Sequence, residues 1–82
     1  MNLEQIFARL KNDVNGNPRY YVGAYDLAAR VGVPVDELPQ FAGKVGFKRY
    51  RGTKYGAGYV TQSYNLEHSV EALRQVIERA KA

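Results

Sequence analysis

The chain has 82 residues, no cysteine, 45% hydrophobic residues and a formal net charge of +4. Its length suits a single domain over residues 1–82, and its composition is that of a globular protein. The lack of cysteine excludes disulfides and thiolate metal sites, which favours a reducing compartment. No stretch is apolar and long enough for a signal peptide or a membrane span, so we expect a cytoplasmic protein without a membrane partner.

The beginning of the chain predicts a helix followed by a strand. Asn2 and Gln5 form a capping-box-like start for a helix over about residues 3–12. The apolar residues of this segment recur at helical spacing: Leu3, Ile6, Phe7 and Leu10. An Asn-Gly pair and Pro18 end the helix. Residues 19–25 are rich in β-forming side chains and predict a strand.

Two short helices are predicted next. Asp26 is placed to cap a helix over residues 27–31, and Gly32 is placed to end it in the left-handed conformation. Asp36 is placed to cap a second short helix that runs to about Val45 and stops at the following glycine.

A β-hairpin and a long helix complete the predicted order α-β-α-α-β-β-α, an α+β fold. Residues 47–51 and 58–64 predict two strands with a glycine-rich connection. Asn65 is placed to cap a helix over about residues 66–81. Its apolar stripe consists of Leu66, Val70, Leu73, Ile77 and Ala80. Such a stripe suits either the core of the same domain or a homodimer, and the sequence does not choose between them.

A pattern of small and apolar residues spans the two short helices. An apolar residue precedes a small one, a glycine follows four residues later between apolar neighbours, and two apolar positions lie in the second helix. The residues are Leu27, Ala28, Val31, Gly32, Val33, Leu38 and Phe41. Over about residues 19–64 the chain therefore resembles the winged helix-turn-helix DNA-binding proteins. The resemblance implies a small winged-helix domain that binds duplex DNA with its second helix and its hairpin, the wing.

The second helix departs from that family. Asp36 and Glu37 would be repelled by phosphate, and Pro39 shortens the helix. In this helix, Gln40 and Lys44 are the residues whose side chains are suited to DNA contact. The resemblance, combined with this departure, implies that the wing carries most of the affinity.

The positive charge is concentrated in and beside the predicted hairpin. Five cations and no acid lie between residues 44 and 54: Lys44, Lys48, Arg49, Arg51 and Lys54. The other 71 residues hold seven cations and eight acids, a balance of −1. Such a segment attracts phosphate backbones, although its lysines would also protect an exposed strand edge from aggregation. With Gln40 and Tyr55, these five cations are the predicted nucleic-acid contacts.

Three functions fit these features. The first is a duplex DNA-binding regulator, and the second is a protein-interaction module or inhibitor in which Asp36 and Glu37 contact a host protein. The third is binding of single-stranded nucleic acid or RNA, because tyrosines of the hairpin can stack on bases. Residues 48–65, with residues 15–20 upstream, are also similar to small uncharacterised phage and plasmid proteins, which implies a mobile-element origin.

Neither catalysis nor a cofactor is predicted, so we expect a protein that is not an enzyme. Gly52, Gly56 and Gly58 lack the Gly-Lys-Ser/Thr continuation of a phosphate loop and are expected in turns. His68 is the single histidine and has no cysteine to join it in a zinc site. Ser63 and Ser69 have no evident acid partner for nucleophilic catalysis.

Overall fold

The computed structural model describes residues 6–51, 56–62 and 66–81. Its strands are β1 (Phe7–Leu10), β2 (Arg19–Gly23), β3 (Lys48–Tyr50) and β4 (Gly58–Thr61). Its α-helices are α1 (Ala24–Val31), α2 (Leu38–Ala42) and α3 (Leu66–Lys81). Short 3-10 helices at Val35–Glu37 and Gly43–Val45 flank α2. Within the described residues the order is therefore β-β-α-α-β-β-α.

The four strands form one antiparallel sheet in the order β1-β2-β4-β3. Phe7 lies opposite Val22 in the first hairpin, and Arg49 lies opposite Tyr59 in the second. The hairpins are joined through β2 and β4, where Val22 pairs with Tyr59. The strands β1 and β3 are therefore the edges of the sheet, and α1 and α2 lie in the chain between the two hairpins.

The hydrophobic core lies between one face of this sheet and the helices. Side chains alternate along a strand, so Val22 faces the core while its neighbour Tyr21 faces the other way. Its members include Phe7, Val22, Leu27, Leu38, Phe41, Phe47, Tyr59, Val70, Leu73 and Ile77. We call the opposite side of the sheet the outer face; its described strand residues include Ala8, Leu10, Arg19, Tyr21, Lys48, Tyr50 and Val60.

The prediction of a first helix over residues 3–12 is wrong for residues 7–10, which form β1. Ile6 has helical conformation, and residues 3–5 lie outside the described part of the chain. The four residues Phe-Ala-Arg-Leu are too few to distinguish the helical period from the alternation of a strand. A short isolated helix is also only marginally stable in water. Pairing with β2 makes residues 7–10 a strand and not a helix. The hairpin is closed by a tight turn in which Gly16 has φ +82°.

Asp13 stabilises that turn. Its Oδ1 atom accepts hydrogen bonds from the backbone N–H groups of Asn15 and Asn17, each at 2.9 Å. Its Oδ2 atom accepts a hydrogen bond from Nε2 of Gln62, just after β4. The hydrogen bond from the Asn17 N–H is the largest of the causes that lower the pKa of Asp13 below its ordinary value. The first turn is thereby connected to the strand at the centre of the sheet.

The pair of short helices is present, but its caps differ from the prediction. The helix α1 begins at Ala24 with Gly23 as its N-cap, so Asp26 lies in the first turn and does not cap it. Gly32 has φ +76° and donates its N–H to the Ala28 carbonyl at 2.9 Å, as a helix-ending glycine does.

The predicted second short helix is the α2 segment with its two 3-10 flanks. Pro34, and not Asp36, precedes its first turn, and no side-chain cap is made there. Pro39 occupies an early position of α2, where it displaces no intrahelical donor. Gly46, with φ +88°, ends the segment as predicted.

The last helix follows the prediction. It spans Leu66–Lys81, with Val70, Leu73 and Ile77 buried in the chain's own core. Ala80, at the end of the predicted stripe, is exposed, and Asn65 lies outside the described residues. Over the part of the chain that the structure describes, none of the helices is both apolar and long enough to cross a membrane.

Candidate nucleic-acid interface

The charge of the molecule is divided unevenly between its two layers. We call residues 7–23, 48–51 and 56–62 the sheet layer, and residues 24–47 and 66–81 the helical layer. The described sheet layer has six cations and one acid: Arg9, Lys11, Arg19, Lys48, Arg49 and Arg51 against Asp13. The described helical layer has five cations and six acids. The positive excess is therefore a property of the sheet layer.

Three of the predicted contact residues are brought together by β3 and the residue after it. Lys48 lies on the outer face opposite Val60, whereas Arg49 lies on the inner face opposite Tyr59. Both side chains are exposed, as is that of Arg51. The edge of the sheet thus presents cations to both sides.

Arg49 is held in place by an aromatic ring. Its Nη1 atom donates to the Tyr59 hydroxyl at 3.4 Å, and its guanidinium carbon lies 5.7 Å from the centroid of the same ring. Tyr59 is only 3% exposed, so the ring is a fixed support. A cation–π contact orients the guanidinium without neutralising it. Arg49 therefore keeps its full charge at the edge of the sheet.

The remaining predicted contacts lie elsewhere. Gln40 is exposed on α2, and Lys44 is exposed in the 3-10 turn that follows. Lys54 and Tyr55 lie outside the described residues. The predicted contacts that the structure describes are therefore divided between the sheet edge and the α2 segment.

The two acids predicted for a protein partner have different environments. Asp36 is exposed. The Oε1 atom of Glu37 lies 3.7 Å from Nζ of Lys81 at the end of α3. Such a surface ion pair is worth about 0–1 kcal/mol, but it offsets the charge of Glu37. The α2 segment is thus less acidic at its surface than its sequence indicates.

A groove on the outer face of the sheet was not predicted. It has a volume of about 260 Å³, and its lining includes Arg19, Lys48, Tyr50, Val60 and Gln62. Arg19 comes from β2, far from Lys48 in the sequence, and reaches the groove because β2 and β3 both pair with β4. Strand alternation from Tyr21 places Arg19 on the outer face, but only the sheet order shows which residues join it.

An aromatic pair borders this groove. The rings of Tyr21 and Tyr50 meet edge to face, with centroids 5.0 Å apart and planes at 63°. Tyr21 donates its hydroxyl to the Ala57 carbonyl at 3.3 Å. Burial raises the pKa of Tyr21, with smaller contributions from the charges of Tyr50 and Asp26. Tyr21 is therefore a fixed neutral support, while Tyr50 is only half-buried.

Gly58 makes room for this pair. It is the first residue of β4, where the predicted strand over residues 58–64 begins, and it is buried and not a turn residue. A Cβ atom at this position would overlap the Val22 carbonyl oxygen and lie 2.6 Å from Cε2 of Tyr21. The side chain of Tyr21 lies across the strand where Gly58 has none. Gly56, with φ +83°, does have the backbone of a turn glycine, and Gly52 lies outside the described residues.

Across the described ranges, His, Asp and Glu side chains nowhere gather in a group of three that could hold a metal ion.

Comparison with protein families gives one finding. The family model for Staphylococcus phage terminal repeat-encoded protein TreK matches residues 2–82 of the chain. The predicted similarity to small phage proteins is thereby confirmed. No curated protein and no solved structure matches the chain.

Proposed function

The chain belongs to the family of the Staphylococcus phage terminal repeat-encoded protein TreK, and from this premise we propose that it binds duplex DNA through the basic edge of its sheet. The division of charge carries the proposal, because the described sheet layer has six cations against one acid. Phosphate contacts dominate the affinity of proteins for nucleic acid, and they require such a local excess.

A winged-helix relationship over about residues 19–64 is the finer part of the proposal. Two helices lie between β2 and the β3–β4 hairpin, and Gly32 turns the chain between them with positive φ. Ala28 is 5% exposed and belongs to the core cluster, and a winged-helix domain requires a small buried residue at this position. In this proposal the β3–β4 hairpin is the wing, and Arg49, Arg51 and Lys54 contact phosphates.

The α2 segment has a smaller role in the proposal. It contains five residues of α-helix, and Gln40 and Lys44 are its exposed residues suited to DNA contact. Few base edges can be contacted by so short an element, so discrimination between sequences would be low. We propose a regulator that acts by occupying DNA and has no catalytic activity.

The proposal of a host-protein partner on the acidic side of α2 has less support. It requires Asp36 and Glu37 to meet a basic surface, yet Glu37 already contacts Lys81. One exposed carboxylate remains, and a single surface charge adds little to an interface.

The proposed function is tested by two triple variants with equal changes in net charge. In the first, Arg49, Arg51 and Lys54 become alanine; in the control, Arg30, Arg79 and Lys81 of the helical layer become alanine. Binding to a labelled duplex is measured by fluorescence anisotropy between about 50 and 200 mM salt.

We expect the first variant to lose most of the affinity and to reduce the slope of log K against log salt by about 2 to 3, since each lost phosphate contact removes about 0.9. The control should bind nearly as the unmodified chain does. Circular dichroism verifies that both variants are folded. Unchanged binding by the first variant, or equal losses in both, would contradict the proposal.

A further inference from the structure

We propose that the outer face of the sheet binds an unpaired stretch of nucleic acid, with Tyr50 stacking on a base and with Arg19 and Lys48 holding phosphates. The inference rests on the proposed function only in that the ligand is nucleic acid. It assigns a second surface, the groove on the outer face, which overlaps the duplex contacts proposed above at Arg49.

The groove has the shape that an extended strand requires. Arg19 is on β2 and Lys48 is on β3, and both strands flank β4. Two strand spacings separate β2 from β3, about 10 Å, so the cations lie on either side of β4. Val60 of β4 faces the groove between them, and Gln62, just after β4, also lines it. Cations on two walls and a small apolar floor suit a chain of phosphates and bases.

Tyr50 is prepared for stacking by its neighbours. Tyr21 supports it edge to face at 5.0 Å, and Tyr21 is itself anchored by its hydrogen bond to the Ala57 carbonyl. The ring of Tyr50 lines the groove and is half-buried, so little side-chain freedom remains to be lost on binding. Aromatic rings on an open sheet are a common platform for unpaired bases.

The acid that lines the groove, Asp13, is outnumbered there by the cations Arg19, Lys48 and Arg49. Asp13 is the one acid of the described sheet layer, and both of its carboxylate oxygens accept hydrogen bonds. Two of its donors belong to the turn, and the third is the Gln62 amide. Asp13 therefore holds the end of the groove in shape, while Arg19 and Lys48 supply the charge that attracts phosphate.

Unpaired strands are selected because stacking requires the face of a base. Within a duplex each base face is covered by the next pair, so only the duplex ends would offer one. The groove is formed by side chains on the outer face of the sheet, where an unpaired base can lie against the ring of Tyr50. The site should therefore prefer an unpaired strand to a duplex of the same sequence.

The test compares labelled thymidylate dodecamer, the matching uridylate dodecamer, and a thymidylate–adenylate duplex. Tyr50→Leu keeps apolar bulk against Tyr21 but removes the stacking ring, and Arg19→Gln and Lys48→Gln each remove one cation. Matched controls are Tyr25→Leu and Arg79→Gln in the helical layer, since Tyr25 is 79% exposed on α1 and Arg79 is exposed on α3. Anisotropy gives the affinities.

A second readout is tyrosine emission, because the chain has seven tyrosines and no tryptophan. We expect Tyr50→Leu to weaken binding of at least one unpaired dodecamer about tenfold or more and to leave the duplex unaffected. The dodecamer should quench emission in the unmodified chain and much less in this variant. Arg19→Gln and Lys48→Gln should also weaken binding of the unpaired strand, and the two controls should not.

The outcomes separate this inference from the proposed function. If neither dodecamer nor duplex binds, both are wrong. If the duplex binds but the dodecamers do not, or if folded Tyr50→Leu and Arg19→Gln leave their binding unchanged, this inference alone is wrong. An equal loss for duplex and dodecamers in Tyr50→Leu also overturns it. Should Tyr50→Leu fail to fold, the two cation variants decide the matter.

Discussion

The sheet layer and the helical layer share one core but treat their charged side chains differently. In the helical layer, acids and cations pair: Glu71 lies 3.6 Å from Arg74, and Glu37 lies 3.7 Å from Lys81. In the sheet layer, arginines lie over tyrosine rings, with Arg9 5.4 Å from the ring centroid of Tyr20. Arg49 is supported in the same way by Tyr59. The helical layer thus offsets its own charge, whereas the sheet layer orients its cations and leaves them charged.

This difference shows how a small chain can combine stability with a binding surface. An ion pair between surface groups adds little stability and removes a charge from further use. A cation over a ring gains a comparable contact energy and keeps its charge for a third group. A cation can therefore be positioned without being neutralised. The sheet layer positions its arginines over aromatic rings, whereas the helical layer neutralises its cations with acids.

The largest expected effect comes from the glycine that the aromatic pair of the sheet layer requires. Gly58→Ala would place a Cβ against the Val22 carbonyl oxygen and the ring of Tyr21. We expect a loss of about 3 kcal/mol in the free energy of unfolding, because backbone and ring must both shift. Urea denaturation measures it.

The matched variant is Gly43→Ala in the helical layer. Gly43 has φ −65°, and apart from its chain neighbours and the local helical backbone no atom lies within 4 Å of the added Cβ. This change should stabilise the chain by about 0.5 kcal/mol through the unfolded state. A loss below 1 kcal/mol for Gly58→Ala would show that Tyr21 is not fixed across β4.

The next effect concerns packing between the helices. Ala28→Leu enlarges a side chain of α1 that is 5% exposed and belongs to the core cluster, and we expect a cost of about 2 kcal/mol. Ala29→Leu, at the exposed neighbouring position of α1, should change the melting temperature little. Equal melting temperatures for the two variants would contradict the close crossing of the helices.

A smaller effect compares the cation–π contact of the sheet layer with the ion pair of the helical layer. Arg49→Gln removes the contact with the Tyr59 ring and should cost about 0.5 to 1 kcal/mol. Lys81→Gln removes the ion pair with Glu37 and should cost less than about 0.5 kcal/mol at moderate salt. Urea denaturation of both variants makes the comparison, and the reverse order would disprove the distinction between the layers.

The smallest effect is the pH dependence of the first turn. The pKa of Asp13 is lowered in the folded chain, so its contribution to stability is present above the unfolded pKa of about 4. It is lost as the pH falls through the lower folded value. Asp13→Asn should therefore destabilise the chain at about pH 7, and the difference from the unmodified chain should shrink towards about pH 2.5. A difference independent of pH would contradict the role of the carboxylate.

The sequence predicts the elements whose pattern is long or whose backbone needs glycine. The sixteen residues of α3 show the helical period several times over, and Gly32 and Gly46 mark both short helical segments with positive φ. The strand β1 is not predicted, because four residues are too few to show the alternation of a strand. Its conformation is decided by hydrogen bonds to β2, which no local pattern shows.

The candidate site is predictable in charge but not in geometry. The cations of β3 are visible as a run in the sequence, whereas the support of Arg49 by Tyr59 depends on the register of β3 with β4. Arg19 joins the groove only through the pairing of β2 with β4. Sheet order is a long-range property, so residues that meet through it cannot be found from spacing along the chain.

The pairing of β2 with β4 also governs how the chain reaches its fold. The two hairpins and α1 are local and can form within microseconds, but Tyr20 meets Thr61 only after the whole intervening segment is brought back. Closing that loop is the step with the greatest loss of chain entropy, so it should limit the folding rate. During synthesis, β2 is made well before its second neighbour. In a nascent chain the side of β2 that later pairs with β4 is therefore open in addition to the edge of β1, and other chains could pair with it until β4 arrives.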